Sequence, residues 1–191
     1  MQSAGRYFDP KFESYVITIL PGEYHICQDS QEMLMTILGS CVAACIRDGR
    51  IGIGGMNHFL LAEPSSKVSS PSNRYGSFAM EELINALLKK GAKREHLEAK
   101  IFGGARVIES STTVGEDNAA FVKHYLMQEK IPIIGEDLGG NRPRRIHYWP
   151  STGRVARHLL QPTEVRLVVT QEDRYQKTLG EKSRGNGVEL F

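Results

Sequence analysis

The stretch TILGSCVAACIRDGRIGIGGMNHFLL, residues 36–61, predicts a β-hairpin. Two apolar arms flank Asp48-Gly49, a dipeptide typical of tight hairpin turns. Period-two alternation along the first arm places Cys41 and Cys45 on one face. His58 lies on the second arm, at a distance from the turn comparable to that of Cys41. The hairpin therefore predicts that Cys41 and His58 can face each other.

The rest of the chain predicts an α/β (α+β) sandwich, with β-sheets covered by two main helices. An amphipathic stripe predicts one helix at residues 78–91, and acidic residues followed by apolar positions predict a second at 114–130. A proline- and serine-rich loop is expected at 63–73. Short β-rich segments predict strands at 15–20, 23–28, 33–38, 97–105, 131–140, 144–149 and 153–160.

The chain of 191 residues fits one domain. We expect a loose leader at residues 1–14, a folded domain at 15–169, and a polar, flexible tail at 170–191 that ends in VELF. The N-terminus has no apolar segment typical of a secretory signal, and no run reaches the roughly 20 apolar residues of a membrane helix. Three cysteines favour a reducing cytoplasm, and a net charge of +2 gives no indication of nucleic-acid binding.

Four interpretations of Cys41 follow from its position directly after Gly39-Ser40. A small buried thiol is the commonest role of such a residue. A disulfide with Cys45 is disfavoured, since four residues of strand separate the Cα atoms by about 13 Å. A zinc site would need four ligands, and Cys-x3-Cys with a distant His58 falls short of that.

The fourth interpretation is a nucleophile. A cysteine attacks as its thiolate and needs a nearby base, and the N–H groups of a glycine turn can stabilise a developing oxyanion. Gly39 and Ser40 supply such a turn next to Cys41. His58 is the candidate base, because it follows residues 54–57 on the second arm, precedes the apolar residues 59–61 and can face Cys41.

These motifs resemble the signature of the chemoreceptor glutamine deamidases, the CheD family. The resemblance rests on LGSCVAACIRD with GGMNHFLL, and it continues through PGEY (21–24), KIFGGA (100–105), VGEDNAAFVKHYL (114–126), EDLGGNRPRRIHY (136–148) and TGRV (152–155). It extends from about residue 16 to residue 160. The pair LGSC and GGMNH at this separation is far more specific than any single glycine motif.

The resemblance implies a catalytic cysteine and histidine at Cys41 and His58, with Thr36 orienting the imidazole. It implies hydrolysis of glutamine side chains to glutamate on the cytoplasmic helices of methyl-accepting chemotaxis receptors, through a thioester and without metal or cofactor. A glutamyl methylesterase side activity and a CheC-type phosphatase partner are further expectations. The alternatives are a non-catalytic scaffold of the same fold, which binds receptors or a phosphatase, and a thiol protease or acyltransferase of another kind.

Overall fold

The computed structural model describes residues 4–61, 71–107 and 113–161, together with positions 164, 170, 172, 174, 175, 177 and 178. Within these residues, two five-stranded sheets and two α-helices form three layers. This arrangement confirms the predicted α+β sandwich. In the described part of the chain, no helix has both the length and the apolar character needed to cross a membrane.

The first sheet has the strand order β1-β2-β4-β9-β10, and the second has the order β3-β6-β5-β7-β8. The strands of the first sheet are β1 (Ala4–Asp9), β2 (Ser14–Thr18), β4 (Glu32–Leu38), β9 (Arg144–Trp149) and β10 (Arg154–Leu159). Those of the second are β3 (Tyr24–Cys27), β5 (Val42–Asp48), β6 (Ile53–Asn57), β7 (Leu97–Gly103) and β8 (Ile133–Leu138).

The predicted hairpin is the centre of the second sheet. β5 and β6 pair antiparallel, with Cys45 opposite Met56 and Asp48 opposite Ile53, so the connecting turn spans residues 49–52 and is longer than the tight Asp48-Gly49 turn expected from the sequence. Because side chains alternate along a strand, the two faces of β5 contribute to two different hydrophobic cores. Cys41 and Cys45 face the first sheet, whereas Val42 faces the helices. Among the described residues, the three cysteines are buried and free.

Helices α1 (Pro71–Lys89) and α2 (Val114–Gln128) cover the second sheet. The predicted stripe of α1 is buried against that sheet. α1 starts at Pro71, inside the segment 63–73 that was expected to be a loop, because proline is well tolerated in the first turn of a helix. Residues 63–70 of that expected loop lie outside the described part of the chain. The buried stripe consists of Met80, Leu83, Ile84 and Leu87.

Both ends of the chain differ from the sequence expectation. Residues 4–9 of the expected leader form β1, which pairs antiparallel with β2. In the expected tail, the described positions 170, 172, 174, 175, 177 and 178 are helical, and Glu172 is buried. The terminal VELF, residues 188–191, lies outside the described residues.

Gly55 of β6 provides a test of close packing between the second sheet and α1. A Cβ at this position would lie 2.6 Å from the carbonyl oxygen of His25 and 2.8 Å from Leu83 Cδ1. We expect Gly55→Ala to lower the free energy of unfolding by about 1–3 kcal/mol through overpacking. Thermal and denaturant unfolding measure this loss. Gly5→Ala is the control, because no atom lies within 4 Å of its added Cβ, and equal stability of the two variants would contradict the prediction.

Candidate active site

The turn at residues 39–41 carries the chain from β4 in the first sheet to β5 in the second. Neighbouring segments fix its carbonyl groups. The N–H of Gly104 donates to the oxygen of Cys41 at 2.8 Å, and the N–H of Ala105 donates to the oxygen of Gly39 at 2.8 Å. Asn118 of α2 donates from Nδ2 to the Ser40 oxygen at 2.9 Å. The carbonyls are therefore satisfied, and the N–H groups of the turn are left to bind another group.

His58 follows directly after β6 and lies on the same face of the hairpin as Cys41. The pairing of Val42 with Phe59 keeps the register of the hairpin, which sets His58 opposite Ala43. The turn before β3 fixes its backbone. Gly22 donates its N–H to the His58 oxygen at 2.7 Å, and the His58 N–H donates to the oxygen of Glu23 at 3.0 Å. The motif PGEY thus positions the imidazole.

Thr36 of β4 sets the tautomer of His58. Its hydroxyl donates to the carbonyl oxygen of Ile19 at 2.8 Å, and its Oγ1 lies 2.8 Å from His58 Nδ1. A carbonyl can only accept, so the single hydroxyl proton of Thr36 is used there. Nδ1 must then carry the proton that Thr36 accepts, and Nε2 holds the lone pair of the neutral ring. His58 Nε2 is buried and has no hydrogen-bond partner among the described residues.

A fourth side chain reaches the site from the C-terminal segment. The carboxylate of Glu172 accepts hydrogen bonds from the N–H groups of Gly39 at 2.8 Å, Ser40 at 2.8 Å and Cys41 at 3.1 Å. It also accepts from the Ser40 hydroxyl at 2.7 Å. Gly39 leaves room for it, since a Cβ there would lie 2.8 Å from Glu172 Oε2. The turn therefore binds a carboxylate with all three of its N–H groups.

Burial keeps both Cys41 and His58 neutral. Desolvation raises the pKa of the Cys41 thiol well above its ordinary value, and the charge of Glu172 raises it further. Desolvation lowers the pKa of His58 to about 4, although the charge of Glu172 partly opposes this shift. With Glu172 in place, the proton therefore stays on sulfur.

The structure brings together every residue that the sequence analysis named for this site: Cys41, His58, Thr36, Gly39 and Ser40. Cys41 Sγ, a ring nitrogen of His58 and a carboxylate oxygen of Glu172 all lie within 4.8 Å of one another. Glu172 was missed, because it lies 131 residues from Cys41 in a segment expected to be flexible. No local motif in QEDRY (171–175) distinguishes it from other exposed acids.

Cys41, His58 and Glu172 are also residue types that bind metal ions. A structural zinc site needs four protein ligands, and a catalytic one needs three with free lone pairs. Glu172 already accepts four hydrogen bonds on its two oxygens, which matches the roughly four lone-pair positions of a carboxylate. The donor set therefore fits a hydrogen-bonded carboxylate better than a metal ligand, and the expectation of no metal stays a prediction.

The fold and the site together define a class: an α+β protein with a buried thiol, an adjacent imidazole and a turn that binds a carboxylate. A family model described as CheD chemotactic sensory transduction matches residues 60–158. A protein of Rhodopseudomonas palustris (strain BisA53), named probable chemoreceptor glutamine deamidase CheD, is 45% identical in an alignment that covers 99% of this chain and 90% of that protein.

A protein of Methylobacillus flagellatus with the same name is 47% identical over 97% of this chain and 94% of its own length. One of Sinorhizobium medicae, again of that name, is 49% identical over 92% of this chain and 95% of its own length. The chain belongs to the CheD family. The solved structure of the Bacillus licheniformis hypothetical protein YfiH matches 60% of this chain and 50% of its own at 10% identity, with a TM-score of 0.42.

The lowered pKa of His58 predicts a pH dependence of stability. Unfolding returns the imidazole to its ordinary pKa of 6.5, so the unfolded chain binds one more proton between pH 6.5 and about 4. The contribution of neutral His58 is present above pH 6.5 and is lost as the pH falls through this window. We expect wild type to lose roughly 3 kcal/mol more than His58→Gln between these limits. Denaturant titrations at both pH values measure the difference, and parallel losses in the two proteins would contradict the prediction.

Proposed function

We propose that this chain hydrolyses glutamine side chains of methyl-accepting chemotaxis receptors to glutamate, with Cys41 as nucleophile and His58 as general base and acid. The observation that carries the proposal is the carboxylate held by the turn beside Cys41. A glutamate side chain fits there with its terminal oxygens on three N–H groups. Glutamate is the product of the proposed reaction, and the names of the relatives support the same chemistry.

Acylation begins when a substrate glutamine replaces Glu172. His58 Nε2 takes the thiol proton, and the thiolate attacks the side-chain carbonyl carbon. The oxygen becomes an oxyanion, which the N–H groups of residues 39–41 stabilise. The imidazolium then gives its proton to the departing nitrogen, so ammonia leaves and a glutamyl thioester remains on Cys41.

Deacylation reverses the roles of the same groups. His58 removes a proton from water, and the hydroxide attacks the thioester carbonyl carbon. The C–S bond then breaks, the leaving sulfur takes the proton back from His58 to restore the thiol, and the new glutamic acid loses its proton to water and is released as a carboxylate. A cavity of about 90 Å³ borders both His58 and Glu172, with Thr36 in its wall. That volume is several times the minimum that a water molecule needs. We infer that the hydrolytic water enters from this cavity, which borders the imidazole.

Thr36 is a positioning residue in this mechanism. It holds Nδ1–H, which keeps Nε2 directed toward the thiol and supports the ring when it becomes charged. The same pocket would accept a glutamyl methyl ester, so a methylesterase side activity belongs to the proposal. A cytoplasmic location and a CheC-type phosphatase partner are part of it as well. The location is supported by the low cysteine content and the family resemblance, and the partner rests on the resemblance alone.

Mass spectrometry of a receptor cytoplasmic fragment tests the proposal. Incubation with wild type should convert particular glutamines to glutamate, each with a gain of roughly 1 Da, because hydrolysis replaces an amide by a carboxylate and releases ammonia. Cys41→Ala should give no conversion, since no thioester can form. The peptide map identifies the positions.

Three other outcomes distinguish the alternatives. A shortened fragment would indicate a thiol protease, and binding without any mass change in wild type would indicate a scaffold. Loss of activity in the presence of a chelator would indicate a metal site. Cys45→Ala is the matched control, because Cys45 is a buried cysteine on the same strand face that has no role in the mechanism.

Thr36→Val tests the positioning role. It removes the oxygen between the Ile19 carbonyl and Nδ1 and leaves a buried N–H without an acceptor. We expect kcat to fall roughly 10- to 100-fold with little change in KM, since the lost hydrogen bond is strongest to the imidazolium. Thr36→Ser should restore most of the rate. Equal kcat values for the Val and Ser variants would show that the hydroxyl has no such role.

A further inference from the structure

The C-terminal segment closes the site that the proposed function requires to be open. Cys41 has no exposed surface, and His58 is only 2% exposed. Glu172 uses all three N–H groups that would otherwise stabilise an oxyanion. No substrate can be attacked while this carboxylate is bound.

Tyr175 gives the segment a second contact. Its hydroxyl is hydrogen-bonded to that of Tyr75 in α1, and its ring packs against the core between the two sheets. Gly22 of the PGEY turn makes room for it, since a Cβ there would overlap the Tyr175 hydroxyl. Two glycines of the family motifs, Gly22 and Gly39, thus border the two residues that this segment inserts.

Glu172 and Tyr175 have the spacing of two residues on one face of a helix. Positions 172 and 175 are helical and three apart, so they share one face. Glu172 is buried and Tyr175 is half-buried, whereas Arg174, Lys177 and Thr178 are exposed. The described positions therefore contact the rest of the protein through one face, and from that face the Glu172 side chain enters the site.

We propose that the segment around Glu172 and Tyr175 is an inhibitor in cis, which occupies the site as the glutamate product of a helical substrate would. This inference rests on the proposed function, because inhibition requires a catalytic site. The contacts that dock the segment do not depend on that function. A receptor helix must displace the segment before its own glutamine can bind. Activity is then controlled by the fraction of molecules in which the segment is undocked.

Alkylation of Cys41 measures the docking without any receptor. Iodoacetamide treatment followed by peptide mass spectrometry gives the rate at Cys41 separately from the rates at Cys27 and Cys45. Glu172→Ala and Tyr175→Ala should raise the Cys41 rate roughly tenfold or more, because charge-assisted hydrogen bonds or ring packing that hold the segment are lost. Lys177→Ala is the matched control and should behave as wild type, since its side chain is exposed.

The same variants are then assayed on the receptor fragment. Glu172→Ala removes a competitor in cis. Its KM should equal the wild-type KM multiplied by the fraction of wild-type molecules in which the segment is undocked, and kcat should be unchanged. Unchanged alkylation and unchanged KM in Glu172→Ala, beside an active wild type, would overturn the inference and leave the proposed function in place. Faster alkylation in Glu172→Ala, with no deamidation by any variant, would support the docking and reject the proposed function.

Glu172→Gln tests whether the docked side chain lies where a product lies. The introduced amide should be hydrolysed by water to a carboxylate with release of ammonia, a gain of roughly 1 Da at position 172. Since the reaction is intramolecular, its rate should not depend on protein concentration, and adding Cys41→Ala should abolish it. If wild type deamidates the receptor fragment but Glu172→Gln does not convert itself, the product-like position of this side chain is wrong.

Discussion

Three consecutive N–H groups, those of Gly39, Ser40 and Cys41, are the constraint on which the site depends. They lie where the chain leaves one sheet and enters the other, so no neighbouring strand offers them a ladder partner. Buried N–H groups must nevertheless be bonded. Their carbonyls are held by residues 104, 105 and 118, which directs the three donors toward one point. Such a point favours a negatively charged oxygen, whether it belongs to a carboxylate or to a tetrahedral intermediate.

In the proposed mechanism, the charge at that point also controls the ionisation of Cys41. A carboxylate next to a desolvated thiol opposes loss of the thiol proton, and Glu172 has this effect on Cys41. A glutamine amide in the same position is neutral and removes that part of the opposition. The proposed proton transfer from Cys41 to His58 would therefore be easier with a glutamine bound than with a glutamate bound. The same turn binds the amide and the carboxylate. The proposed loss of the Cys41 proton is therefore favoured only after an amide has taken the place of the carboxylate.

Much of this site could be predicted from local sequence. The Asp48-Gly49 turn and period-two alternation bring Cys41 and His58 to one face of a hairpin, and both features are local. The buried stripe of α1 follows from helical spacing in the same way. β1 could not be predicted, since its described side chains are exposed or half-buried and its pairing with β2 leaves no hydrophobic pattern. Glu172 could not be predicted either, because a single acid in a polar segment gives no sign that it binds N–H groups far away in the chain.

Selectivity among glutamines cannot come from the turn at residues 39–41 alone. That turn contacts only the end of a side chain, and every glutamine has the same end. Discrimination must arise from residues beside it on the helical face that carries it. In the docked segment the neighbour three positions later is Tyr175, which contacts Tyr75 and lies against Gly22. If the proposed displacement takes place, a receptor helix that replaces this segment would meet the same two residues, and its side chain at the corresponding position would select which glutamines are held close to Cys41.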